Sequence, residues 1–328
     1  MPAIYIREQG SMLVKRGERI AVTKNSKTLL EIPLANVDNI AVIGNIQVTT
    51  QVLLMLMEQG VDISYFTYSG KYVGHAAADL SKNIFLRFAQ YELYHDMDRR
   101  LQLAKIIVRN KVQNQMALIR NYHWDGEYNW KTDVDKMQEV LNSLEHKKTS
   151  NEILGVEGMC SNIYFGAYGH MFKCKIQFDG RNRRPPRDPI NVILSLAYTF
   201  LTKEICAAMD AESFEMYLGF LHGIRYGRKS LALDIIEEFR QPVVDRMVLR
   251  MFNKGMITEF DFDDDGEQIL LNKDGFSSFC SYYEKWMHDK SYNDNKRSFN
   301  DVIRQQIAQL KKSVQKHDDY VPFAWKHD

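Results

Sequence analysis

Over residues 1–74 the apolar positions fall in short runs rich in Val, Ile, Tyr and Thr, separated by glycines and polar turns. IYIRE, SMLVKRGERIAVTK, KTLLEIPLANVDNIAVIG and VDISYFTY therefore read as strands. One segment breaks that pattern. TTQVLLMLMEQG repeats at helical spacing, with Thr49 or Thr50 as cap, Val52, Leu53, Leu56 and Met57 as apolar positions, and Gly60 as stop. The expectation is a small β-rich domain with one helix.

From Ser81 the period lengthens. KNIFLRFAQYELYHDMDRRLQLAKIIVRNKVQNQMALIRNYHW keeps a helical recurrence for about 40 positions without an internal Pro or Gly. The small, turn-prone GKYVGHAAADLS before it reads as a linker, placed at 75–84, and a larger helical domain is expected over 85–328. VDKMQEVLNSLEHKKTSNEILGVEGMCSNIYFGAYGHMF continues the helices, with EHKKTSNE as a loop. QFDGRNRRPPRDPI is non-periodic and precedes a helix opening at Asp188 or Pro189, where Asp caps and Pro suits the first turn. INVILSLAYTFLTKEICAAMD reads as a largely buried helix, SFEMYLGFLH as another ending at Gly223. EFDFDDDGEQILLNKDGFSSF reads as two short strands around an acidic turn. Its DxDxDG run imitates a calcium loop, but the twelfth position is Asn272 where a bidentate Glu is needed, so that reading is rejected. The tail carries an amphipathic helix with Phe299, Ile303, Ile307 and Leu310 on one face. The fold class is α+β.

The bulk properties narrow the function. The chain has 328 residues and a formal net charge of +1, so any nucleic-acid surface must be a local patch. No signal-peptide core opens the chain, and no apolar run reaches the roughly 20 residues that span a bilayer, so a soluble cytoplasmic protein is expected. Cys160, Cys174, Cys206 and Cys280 form no CxxC pair, which argues for reduced thiols and against structural zinc.

The candidate chemistry centres on Gly219 to Arg246, GFLHGIRYGRKSLALDIIEEFRQPVVDR. On the helix beginning near Ser230, Leu231, Ala232, Ile235, Ile236 and Phe239 share one side, and Asp234, Glu237 and Glu238 the other. By periodicity alone these are a core face and a solvated acidic face. His222, at the end of an apolar stretch, is either a packing residue or a ligand. Glu157, between Gly155 and Gly158, is either at an exposed helix end or paired with a cation, since an unpaired buried carboxylate is costly. Should Glu157, His222 and Glu237 converge, two hard oxygens and an imidazole would suit Mg²⁺ or Mn²⁺ with positions left open, the arrangement for phosphodiester chemistry. Arg181, Arg183, Arg184 and Arg187, beside a helix N-terminus, would supply fork-shaped donors to phosphates, or form a solvated basic loop.

ILGVEGMCSNIYF, FDGRNRRPPRDPINVILSLAYTFL, LGFLHGIRYGRKSLALDIIEEFRQPVVDR and the closing DDYVPF together resemble the CRISPR-associated endonuclease Cas1 (Cas-one) family, the integrase of spacer acquisition. ERIAVTKN and IPLANVDNIAVIGNIQVTTQVLLMLMEQGVDISYF resemble that family's β domain, so the resemblance covers nearly the whole chain. It implies an N-terminal β domain that dimerises and a helical catalytic domain whose divalent-metal ligands are Glu157, His222 and Glu237, with Asp234 as a nearby second acid. It further implies joining of 3'-hydroxyl ends of short DNA fragments to a CRISPR repeat by transesterification, with Tyr198, Arg225 and the arginine loop holding DNA. The implied partners are DNA, a second copy of the chain, and the small protein Cas2 (Cas-two) as a bridge. Glu238 and Gln241 stand where proline is frequent in the family, and an extra acid there would raise the site's negative charge. A non-catalytic DNA-binding scaffold and a small-phosphoester hydrolase are the competing readings.

Overall fold

β-branched runs that cannot bury a face alone pair into two four-stranded sheets near the N-terminus. The computed structural model describes residues 3–37, 39–76, 83–126, 128–182, 185–264, 266, 268–292, 296–316 and 318–325. Its strands run β1 (Ala3–Ile6), β2 (Met12–Arg16), β3 (Arg19–Lys24), β4 (Lys27–Pro33), β5 (Asn39–Ile43), β6 (Gln47–Val48), β7 (Asp62–Phe66) and β8 (Tyr72–Ala76), with helix α1 (Thr50–Glu58) before β7. One sheet has the order β1-β5-β7-β8, the other β4-β3-β2-β6. In the second, Leu13 faces Val22 and Ile20 faces Ile32 across antiparallel ladders. Leu13, Ile20, Ile40, Val52, Leu56 and Ile63 form the floor of this core, each about fully buried. Helix α1 starts after Thr49 and is followed by Gly60 at φ 69°, as the pattern predicts. Within the segment expected as a linker, Tyr72–Ala76 form β8, antiparallel to β7. The rest of the expected linker, 77–82, lies outside the described residues.

Contacts divide the chain into two units, residues 1–80 with 280–284, and residues 81–279 with 285–328. The second is built from α2 (Ile84–His95), α3 (Met97–Arg120), α4 (Trp130–Asn142), α5 (Ser150–Gly169), α6 (Pro189–Glu212), α7 (Ser230–Phe239) and α8 (Arg246–Asn253). Strands β9 (Phe262–Asp264) and β10 (Ile269–Leu271) then pair antiparallel, ahead of α9 (Lys273–His288) and α10 (Phe299–Lys316). The apparent 40-residue helix is two helices, because Asp96 leaves helical backbone and its side chain accepts the Arg99 amide at 3.0 Å. A capping carboxylate interrupts what apolar spacing alone would continue.

Helix α6 opens as expected, with Asp188 capping the Asn191 amide at 2.8 Å and Pro189 in the first turn. Its length and composition would let it cross a membrane, contrary to the expectation from the sequence. Here it is a core helix, with Ile190, Ile193, Leu194, Ala197 and Leu201 fully buried. Helix α10 buries Phe299, Ile303, Ile307 and Leu310 as its pattern requires. SFEMYLGFLH is not a helix: residues 214–229 are irregular. The amides that would close helical turns there are taken by a distant carboxylate. Phe220 N, Leu221 N and His222 N all donate to Asp234, at 2.6, 3.0 and 2.9 Å. Gly219 permits the close approach, since a Cβ there would lie 2.6 Å from His222 O and from Ser230. All four cysteines are free thiols, and Cys160, Cys206 and Cys280 are buried.

Candidate active site

Three helices far apart in sequence deliver the central charges. The capping box of Thr149 and Glu152 starts α5, which carries Glu157 in its interior rather than at an exposed end. Helix α3 carries Lys111 and packs on both α5 and α7. Lys111 Nζ pairs with Glu157 Oε1 and lies 2.6 Å from Glu237 Oε2. Glu157 therefore takes the cation-paired alternative, and its Oε1 also accepts Ser161 Oγ at 2.9 Å.

The acidic side of α7 is not a solvated face. Asp234, Glu237 and Glu238 are 0, 4 and 0 % exposed. Periodicity separates polar from apolar sides but cannot tell water from a polar interior, and here the second side meets buried cations and donors. Burial pushes the Glu237 carboxyl up, but Arg240 and Lys111 outweigh it and bring it down to about 2. Arg240 Nε lies 2.9 Å from Glu237 Oε2. The same oxygen is thus shared by both cations.

Beyond α7 the helix widens into a π-helical turn, Arg240–Asp245, that holds Pro242 and continues into α8. Such a turn re-aims side chains inside a helical rod. Arg240 lies 4.5 Å above the Tyr198 ring, and Arg181 lies 5.4 Å from the same ring. Tyr198 gives its hydroxyl to Asp245, which also accepts Tyr164 Oη at 2.7 Å. Burial raises the Asp245 carboxyl to about 6 against those donors and the two arginines. Tyr198 is thus an interior support for the arginines, which corrects its expected place beside DNA.

His222 is fixed from behind. Asp234 is a pure acceptor already holding three amides, so the 2.7 Å contact is His222 Nδ1–H donating to Asp234, and Nε2 is left for another partner. Asp234 thereby serves the histidine and its loop. Glu238 points away from this centre. It accepts Tyr320 Oη at 2.6 Å and Phe323 N at 2.9 Å, so the expected extra negative charge at the site is corrected to an anchor for the closing segment. Among the described residues no three His, Cys, Asp or Glu side chains are gathered to hold a metal ion between them.

A cleft of 1140 Å³ is lined by Glu157, Lys111 and Arg240 on one side and by residues 177–182, Arg187 and Asp188 on the other. Arg181 is tied down, donating to Asn191 Oδ1 at 2.7 Å and Ser195 Oγ at 3.0 Å. Arg187 and Arg225 are exposed. Arg183 and Arg184 lie outside the described residues. The sequence reading missed Lys111, Arg240 and Asp245. A signal existed for the first: Lys111, Asn114 and Gln115 recur at helical spacing on one side of α3, and all three are buried.

The family model for CRISPR associated protein Cas1 matches residues 4–285. The chain belongs to the Cas1 family. A curated family relative, "CRISPR-associated endonuclease Cas1 3" of Thermus thermophilus, is 34% identical over 289 residues, covering 88% of this chain and 85% of the relative. Another, "CRISPR-associated endonuclease Cas1 1" of Chlorobaculum tepidum, is 29% identical over 98% of both chains. A solved Cas1 protein from Thermotoga maritima superposes with a TM-score of 0.83 at 26% identity, covering 96% of this chain and 97% of that one. A casposase bound to its integration product shares the fold, with a TM-score of 0.85 at 21% identity over 98% and 93% of the two chains. These matches agree with the expected β-rich N-terminal region followed by a helical part.

Proposed function

We propose that this chain is a divalent-metal-dependent DNA endonuclease and integrase of CRISPR adaptation, joining 3'-hydroxyl ends of short DNA fragments into a CRISPR repeat by transesterification. The observation that carries the reading is the convergence of Glu157 and Glu237 on one cation beside a cleft that Arg187 also lines. Relatives named as endonucleases support the same class of chemistry.

Glu157 and Glu237, already brought together on Lys111, would hold Mg²⁺ or Mn²⁺ with His222, which is not gathered with them in this structure, as the third ligand. Two carboxylates with an imidazole fit a hard divalent ion, and Glu157 and Glu237 already share one cation, the ammonium of Lys111. When bound, such an ion lowers the pKa of an attacking hydroxyl or water and neutralises charge on the phosphate. Asp234 holds the His222 ring by Nδ1 and so selects Nε2 as the ligating nitrogen. Arg240, braced on Tyr198 in the cleft wall, keeps Glu237 ionised. Arg187 and Arg225 offer exposed donors to the DNA backbone. Residues 1–74 would make the homodimer, 85–328 the catalytic domain, and Cas2 the bridge between dimers, in the cytoplasm.

The test is strand joining between a short duplex with free 3'-hydroxyls and a repeat-bearing supercoiled plasmid in Mn²⁺, with the small partner present. Glu157→Gln, His222→Ala and Glu237→Gln are expected to lose joining while remaining folded dimers. Undiminished joining by all three sinks the reading.

A further inference from the structure

We propose that Lys111 is the resident counter-ion of the two-carboxylate centre: its ammonium holds Glu157 and Glu237 together before a divalent cation arrives, and the cation displaces it. The inference rests on the metal-site reading above and adds a residue that acts through the ligands, a positioning residue.

The geometry makes Lys111 a stand-in for a cation. Its side chain is 5 % exposed, and its Nζ is at ion-pair distance from both carboxylates, one on α5 and one on α7. Two carboxylates brought together in a protein interior repel and lose hydration, and a positive charge between them removes most of that cost. Without Lys111, Arg240 would remain beside the pair, and its contact is with Glu237.

Two further observations separate a counter-ion that yields from one that stays. Arg240 is immobilised by the Tyr198 ring 4.5 Å from its guanidinium, whereas Lys111 is a point charge on a flexible four-carbon stem. In addition, Lys111 Nζ donates to Glu157 Oε1 and lies 2.6 Å from Glu237 Oε2, so one ammonium serves both carboxylates. Both contacts are charge-based, and a divalent cation offers the two carboxylates a larger charge in exchange for the ammonium. Lys111 also lines the 1140 Å³ cleft, so the displaced ammonium has an open path toward a phosphate there.

Mn²⁺ affinity of the full-length protein, followed by electron paramagnetic resonance of free Mn²⁺, separates this role from simple support of the fold. Lys111→Met and Lys111→Gln are measured beside wild type and Glu237→Gln, each also melted in chelator and in excess Mn²⁺. Removing a competitor tightens binding, so both neutral Lys111 variants are expected to bind Mn²⁺ on the order of tenfold more tightly, the size of effect that groups touching metal ligands exert. They are also expected to melt lower than wild type in chelator and to regain stability in Mn²⁺. A variant unfolded in chelator that folds on adding Mn²⁺ is the same result at its extreme, and one that stays unfolded in Mn²⁺ overturns the proposal. Folded variants with unchanged or weaker affinity overturn it too, leaving the metal site intact if wild-type binding is lost in Glu237→Gln. Absence of Glu237-dependent binding in wild type and both Lys111 variants removes the metal-site reading and this inference together.

Discussion

Glu237 and Glu238 are neighbours on α7, both buried, and their carboxyls are driven in opposite directions. Glu237 meets Arg240 and Lys111 and sits at about 2, whereas Glu238 meets only neutral donors and is pushed up by burial to about 7. One peptide unit thus separates an acid held charged for the cleft from an acid that ties the closing segment to the core.

The pH dependence of stability should carry the signature of Glu238. Its folded-state value lies above the ordinary 4.5, so its contribution is fully present below pH 4.5 and is lost as pH rises through about 7. Glu238→Gln does not titrate, keeps a carbonyl acceptor for Phe323 N and turns an NH₂ toward Tyr320 Oη, which can accept it. Between pH 5 and 8 wild type should lose stability relative to this variant by on the order of 2 kcal/mol. Urea midpoints at the two pH values check this, and parallel pH profiles for the two proteins would refute it.

How far the chain was legible follows from where each element finds its partners. The ends of α6, the buried face of α10 and the strands around α1 are set by residues within a few positions, so pattern alone finds them. The irregular segment before α7 is not, because the amides of Phe220 and Leu221 are claimed by Asp234 from 14 and 13 residues away. The candidate site divides the same way. Carboxylate and imidazole positions stand out as residue types, but that the acids face Lys111 and Arg240 rather than water depends on α3 and the π-helical turn packing beside α7. No periodicity in α7 contains that information.

Asp234 is expected to be one of the costliest single positions in the unit. It accepts Phe220 N, Leu221 N, His222 N and His222 Nδ1 while fully buried. Asp234→Ala leaves several buried donors unpaired, at about 1–3 kcal/mol each before relaxation, so a loss on the order of 4 kcal/mol is expected. Hydrogen exchange should show residues 220–222 losing protection first. A loss under about 1 kcal/mol with those amides still protected would contradict the clamp.

Tyr198 offers a direct check on its interior role. Tyr198→Phe keeps the ring between Arg181 and Arg240 but removes the hydroxyl given to Asp245. Stability should fall by about 1–2 kcal/mol, because the Asp245 carboxylate loses one of its two tyrosine donors. DNA affinity should be unchanged. A large loss of DNA affinity at unchanged stability would put the hydroxyl on the substrate instead.

The arginines divide between framework and contact. Arg181 is tied to Asn191 and Ser195 and stacked on Tyr198, so Arg181→Ala should act first on the order of its loop, read as faster proteolysis there. Arg187 and Arg225 are exposed, Arg187 lining the cleft and Arg225 following His222 in the segment Asp234 organises. Replacing each by Ala should weaken DNA binding and reduce the slope of log affinity against log salt by about 0.9 per lost phosphate contact. Fluorescence anisotropy with a short duplex across a range of salt gives that slope. An unchanged slope in the Arg187→Ala/Arg225→Ala double variant would mean that the backbone runs over another face of the helical unit.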